Sequence, residues 1–399
     1  MRTLIRDVRV FDGERTIPQA DVLIDGDRIA EVTAGPVDVE VDGAGKTLLP
    51  GLIDAHAHAF DGDLEEALKF GVTTELDMNN LPPILARQRR QAAERDDVAD
   101  LRSSSMIATA PGGHPTQLWT RDLIEVIGSD QGLDTVGDAD QAKAFVEARL
   151  AEGVDYLKIC VDDGSASGMS LPALSPELAA VLVEAAHAAG LRVIAHTVTA
   201  REALIALDAG ADGLAHLYSD AGEEQAEETA ARIASYDAFV ISTITFIETV
   251  TGDPGPTELL RDPRMAERMS ERSKAAFGRE PTDIPMHTQG VRNASQSAAA
   301  LLRAGVPLLA GTDCTSFGPV HGAGFHHELL MLTRAGLTPE QALTAATSLT
   351  ARHFGLADRG RITPGLRADL LLVDGDPTTD ITATRAIADV WRGGVRQVR

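Results

Sequence analysis

Between residue 49 and about residue 360, short apolar runs alternate with Ala-, Leu-, Glu- and Arg-rich stretches of helical period. Eight runs read as strands: Gly51–His58, Val72–Met78, Leu101–Thr109, Asp155–Val161, Arg192–His196, Gly213–Tyr218, Phe239–Phe246 and Pro307–Asp313. Between or after them, Leu64–Phe70, Pro82–Glu94, Asp138–Glu152, Pro176–Ala189, Ala200–Ala209, Ala294–Ala304 and Pro339–Thr347 read as helices. Gly71, Gly153, Gly190, Gly210 and Gly305 stand where helices should stop, in positions that suit a left-handed cap. Eight such strand–helix units predict parallel strands closed into a (β/α)8 TIM barrel. An open doubly wound sheet is the structural alternative, but no G-x-G-x-x-G follows the first strand, so a dinucleotide fold has no support.

The two ends carry a different pattern. Thr3–Phe11, Ala20–Ile24, Arg28–Val32 and Val39–Val41 are strand-like and separated by Asp-Gly turns. Ala368–Asp374, Ile387–Arg392 and Val395–Val398 repeat the pattern at the far end. Neither set is large enough for a good core alone. Both ends are therefore expected to form one small β-sandwich from residues 1–48 and 361–399, with the barrel, 49–360, inserted between them.

Charge narrows the partners. A formal net charge of −24, spread along the chain, repels nucleic acid and anionic lipid. No apolar run of about 18 residues suggests a membrane span, and the first residues lack a secretory apolar core. Two cysteines are too few for a disulfide framework and fit a reducing compartment. The expectation is a cytoplasmic protein acting on a small molecule, with no nucleic acid or membrane partner. The 248–290 region reads as a lid or as a homo-oligomer contact.

Candidate chemistry collects at the strand ends, where a barrel carries its active residues. The run Leu48-Leu49-Pro50-Gly51-Leu52-Ile53-Asp54-Ala55-His56-Ala57-His58 ends in two histidines that strand alternation turns to one face. His196, His216 and Asp313 end later strands. Four imidazoles and a carboxylate suit one or two divalent ions of the zinc type. Lys158 lies among Tyr156, Leu157, Ile159 and Cys160, where a charged amine is costly to bury. It reads either as a salt-bridged or snorkelling lysine, or as a neutral amine carboxylated by CO2.

These residues resemble the amidohydrolase superfamily. The marks are P-G-L-I-D-A-H-A-H at 50–58, Lys158, His196, His216, G-T-D at 311–313, His321-Gly322, Glu328-Leu329, the run at 335–347 and G-R-I-T-P-G-L-R-A-D-L at 360–370. The resemblance is to the binuclear branch, near prolidase-like and imidazolonepropionase-related members. It implies a barrel with an attached sandwich and two divalent metals, zinc by default. His56, His58 and Asp313 would hold one metal, His196 and His216 the other, with carboxylated Lys158 bridging. It further implies hydrolysis of a C–N bond by a metal-bridging hydroxide, with Asp313 as proton shuttle.

The substrate contacts are less defined. His114, in Ala110-Pro111-Gly112-Gly113-His114-Pro115, would orient substrate or stabilise an oxyanion, or else hold its own loop. Trp119 lies in the long stretch that follows, which suits a lid. Tyr218, two residues past His216, would share its inward face and reach the scissile carbonyl, or pack at the rim. His321 matches the family's H-G position and is preferred to His326 and His327, which open a helix and read as surface. His187, His287 and His353 read as structural, and Cys160 and Cys314 as small buried hydrophobes. Arg292 is a weak candidate for a substrate carboxylate. The substrate class is an amide-type small molecule such as a dipeptide, N-acyl amino acid, arylamide or urea. The rival readings are a mononuclear heterocycle deaminase and a catalytically silent scaffold of the same fold.

Overall fold

The computed structural model describes residues 1–118, 132–253, 255–277, 290–315 and 318–397. Both chain ends enter one sheet of eight strands. Its middle strand, Lys46–Pro50, pairs parallel with Arg2–Phe11 and antiparallel with Leu370–Asp374. Successive side chains along these strands face opposite ways, as a pleat requires. Leu48, Leu370 and Leu372 join Ile5, Val10, Val22 and Trp391 in one core. Leu49, Leu371 and Val373 instead join the larger core formed with the helices. The sheet is thereby fastened to the rest of the molecule through alternate residues of the same strands.

Within the middle of the chain every paired strand runs parallel. Leu52–Ala57, Val72–Asp77 and Asp100–Ser103 form one sheet. Leu157–Cys160, Val193–His196, Gly213–Ala215, Phe239–Ile241 and Leu308–Leu309 form another. Backbone bonds join the two at both edges. Ala55 N–H donates to Ala310 and Asp313 N–H to His56, at 2.9 and 2.8 Å. At the other edge Ala108 N–H donates to Lys158 and Cys160 N–H to Ala108, both at 2.9 Å. The side chains of Ile53, Ala55, Ile194, Ala215, Phe239, Ile241 and Leu309 share one buried cluster. Leu52, Val72, Leu157, Val193, Leu214 and Leu308 pack against helices in the larger core. The result is a mixed α/β fold with its strands buried on both faces, the usual state of parallel sheets.

Helix ends follow local chemistry. Asp138 and Ser175 cap their helices with side-chain oxygens, and Thr199 with Glu202 makes a capping box. The glycines expected to stop helices, Gly71, Gly153, Gly190, Gly210 and Gly305, all take positive φ, between 71° and 96°. The seventh strand is shorter than the apolar run suggested. It ends at Ile241, and Ile244–Val250 is helical. Gly311 serves packing rather than a turn. A β-carbon there would lie 2.9 Å from the His56 nitrogen and 2.5 Å from Ile241 Cγ2. Only glycine lets the last strand approach the first so closely.

Candidate metal centre

The first parallel strand, Leu52–Ala57, carries His56, and His58 follows it directly, so both rings reach the same point. Both Nε2 atoms converge on Asp313 Oδ1, at 3.2 and 3.0 Å. His58 Nδ1 lies 3.3 Å from the Asn79 carbonyl; a proton donated there would leave the Nε2 lone pair for a cation. His216 lies beside His56, ring centres 4.7 Å apart. His56, His216 and Asp313 each bring a ligand atom within 4.8 Å of the others. His216 Nε2 also faces His196 Nδ1 at 2.9 Å. Two imidazole nitrogens cannot both be lone-pair donors to one another, but both can face a cation. These His/Asp groups are suited to hold metal.

Strained backbone marks the same end of the strands. His216, Thr243 and Asp313 have φ of 77°, 52° and 56°. Ser105, after the third strand, has 55°. Left-handed geometry at such residues costs about 1–3 kcal/mol each and collects at functional sites.

Lys158 is buried, and its amine has no hydrogen-bond partner among the described residues. Burial lowers its pKa to about 7, with the Asp313 and Cys160 charges opposing that fall. The same charge bears on His56 and His216. His56 is held neutral, its pKa lowered to about 3 by burial and then by Lys158. Burial alone would raise the Asp313 carboxyl, but His56 and its neighbours hold it well below the usual carboxylate range.

His114 is brought to this group. Its ring stacks on His196, centres 4.7 Å apart, and Gln117 Nε2 lies 2.8 Å from its Nδ1. Burial, with His196 next, lowers its pKa to about 3. Asp162 stands behind both rings, 3.5 Å from His196 Nε2 and 3.9 Å from His114 Nδ1.

Tyr218 is not brought there. Its hydroxyl donates to the Ala226 carbonyl at 2.8 Å, and its ring lies in the helix-packing core. His321 sits in a different buried group. Its Nδ1 lies 2.7 Å from Glu75 and 3.2 Å from the Cys314 sulfur, and its Nε2 3.3 Å from Asp63. Burial opposes its charge, but Asp63, Cys314 and Glu75 raise its pKa well above the ordinary value. Arg272 pairs with Asp63 at 2.8 Å, which balances two carboxylates with two cations without need of a metal. Cys314 therefore has polar company rather than the purely apolar setting expected of it. His326 and His327 are not at the surface: both are buried, His326 on the Phe70 carbonyl and His327 on Glu248. Arg292 is exposed on the helix Gly290–Arg303. Trp119 and His287 lie outside the described residues.

Sequence reasoning gave no part to Asp54, Asp162 or Thr243. Asp54 was visible in the I-D-A-H-A-H run, two positions before His56 and hence on its face. The other two had no local signal.

The amidohydrolase family pattern matches residues 47–397. The chain belongs to the amidohydrolase family. It is a hydrolase acting on carbon–nitrogen bonds. An imidazolonepropionase of Cereibacter sphaeroides (strain KD131 / KCTC 12085) is 27% identical over 413 residues, covering 95% of this amidohydrolase and 94% of the relative. Among solved structures, a Xaa-Pro dipeptidase with bound methionine superposes with a TM-score of 0.76 at 21% identity, over the whole of both chains. Phenylurea hydrolase B does so at 0.72 and 24%, covering 100% of this chain and 97% of that one. The superpositions carry the fold. No helix among the described residues is long and apolar enough to cross a membrane.

Proposed function

We propose that this amidohydrolase cleaves an amide-type bond in a small molecule, such as a dipeptide, N-acyl amino acid, arylamide or urea, at a centre of two divalent cations. His56, His58 and Asp313 would hold one, His196 and His216 the other, and Lys158, carboxylated by CO2, would bridge them. Zinc is the default for this donor set. The observation that carries the reading is the buried Lys158 amine, without a hydrogen-bond partner among the described residues and within electrostatic reach of His56, His216 and Asp313. An uncharged amine is the form that reacts with CO2, and the carbamate is an anion that a pair of cations would stabilise. The relatives named as an imidazolonepropionase, a Xaa-Pro dipeptidase and a phenylurea hydrolase make a C–N bond the natural target.

Bound cations would supply an activated water and polarise the scissile carbonyl. The chain's own residues do the rest. Asp313, ionised and facing both His56 and His58, accepts a proton from the attacking water and returns it to the leaving nitrogen. His114 is neutral near pH 7, so it acts as a hydrogen-bonding group and not as a cation. With Gln117 donating to Nδ1, its proton lies on Nε2, free to meet an oxyanion. We read the eight parallel strands as one closed (β/α)8 barrel over 49–360, with 1–48 and 361–399 as the appended β unit. The backbone bonds at both sheet edges support this.

The test is metal analysis joined to a panel of dipeptides, N-acyl amino acids, anilides and ureas, with and without chelator. Two equivalents of metal and chelator-sensitive hydrolysis are expected. One tightly bound metal, with turnover intact in Lys158→Ala, would instead fit a mononuclear deaminase.

A further inference from the structure

Glu328 lies fully buried on the helix Ala323–Arg334, remote in sequence from any residue of the proposed centre's second half. Its carboxylate gathers donors from one short stretch. Oε1 accepts from the Ser242 hydroxyl and from Ile244 N–H at 3.0 Å. Oε2 accepts from Thr245 N–H and the Thr245 hydroxyl, both at 2.8 Å. The four donors straddle one residue, Thr243. That residue is held at a φ of 52°, which a β-branched side chain adopts rarely. Its N–H is also tied to the Gly311 carbonyl at 3.0 Å, two positions before Asp313.

The strained conformation has a use. Thr243 Oγ1 lies 2.8 Å from His216 Nδ1. If His216 donates its Nδ1 proton there, Nε2 keeps the lone pair that faces His196. We propose that Glu328 is a positioning residue for the His196/His216 half of the centre. It clamps residues 242–245 so that Thr243 fixes the tautomer and ring angle of His216. Outer hydrogen-bond partners of this kind orient metal-binding imidazoles and tune affinity by about 10- to 100-fold. The metal arm of the test rests on the two-cation reading; the tautomer arm does not.

Two variants separate the clamp from a simple helix cap. Glu328→Gln turns an amide N–H against the gathered donors. Thr243→Val keeps the shape and removes the acceptor. The chelated protein is titrated with Zn2+, and each equivalent is read separately. Both variants are expected to bind the second equivalent about 10- to 100-fold more weakly while the first stays within about twofold. The double variant should be no worse than the weaker single one, because both act through one hydrogen bond. Independently, nitrogen-15 histidine spectra of the metal-free protein should show His216 protonated at Nδ1, identified by its loss in His216→Gln. Both variants should shift that tautomer. The proposal is overturned if Glu328→Gln leaves the second equivalent and the His216 tautomer as in the parent, or weakens both equivalents alike. If the parent binds fewer than two equivalents, the two-cation reading falls, and the tautomer spectra alone decide the clamp.

Discussion

Asp54 grips Thr312 twice, accepting its N–H at 3.0 Å and sharing a 2.6 Å contact with its hydroxyl. The two residues lie 258 positions apart in sequence. The same carboxyl also accepts the His56 N–H at 3.1 Å. One side chain thus aligns the H-x-H strand with the G-T-D segment, and sets His56 against Asp313 from below.

Burial, and then the Glu75 charge, raises the Asp54 pKa to about 8. In the unfolded chain an aspartate titrates near about 3.9. Between those values the folded state holds the extra proton, so its stability falls as pH rises through the window. Asp54→Asn keeps a neutral group able to donate to the Thr312 oxygen. The unfolding free energy of the metal-free parent, less that of Asp54→Asn, should decline from about pH 4 to about pH 8. Denaturant melts across that range measure it, and a level difference would count against a protonated Asp54.

Lys158→Ala is expected to lose the second metal and most of the turnover, since no other described group is placed to bridge. Metal content and steady-state rates on the same sample decide it. Near-normal turnover would contradict the bridging role.

Asp313→Asn retains a metal-binding oxygen but cannot take a proton. A fall in kcat of about 10²- to 10⁴-fold, with metal content largely kept, is expected. If the metal leaves along with the rate, Asp313 acts chiefly as a ligand.

Gly311→Ala would press a methyl group onto the His56 backbone and Ile241. Overpacking of this kind costs about 1–3 kcal/mol. The melting temperature should drop, and the rate should drop further than stability alone predicts, because Asp313 follows two residues later.

How much of this could be read from sequence depends on range. His56 lies on the strand Leu52–Ala57 and His58 directly follows it, so a period of two suggests one shared face, and both rings do meet at Asp313. Tyr218 fails the same rule because the strand stops at Ala215 and His216 itself takes a φ of 77°. Past that kink, a spacing of two no longer means a shared face. His326, His327 and Glu328 sit on a helix turn that is buried all round, so no apolar stripe distinguished an inside from an outside. The end of the seventh strand was unreadable for a further reason. Its switch to helix at Ile244 is stabilised by Glu328, 84 positions downstream.

The sheet shared by both chain ends bears on how the enzyme is made. Thr47 donates its hydroxyl to Gly375 at 2.6 Å, across 328 positions of chain. During synthesis the strand Lys46–Pro50 leaves the ribosome long before its neighbour Leu370–Asp374 exists, so one hydrogen-bonding edge stays open throughout translation of the catalytic portion. Such an edge invites pairing with foreign strands. Loss of the last thirty residues should therefore yield insoluble protein, even though every proposed metal ligand would still be present.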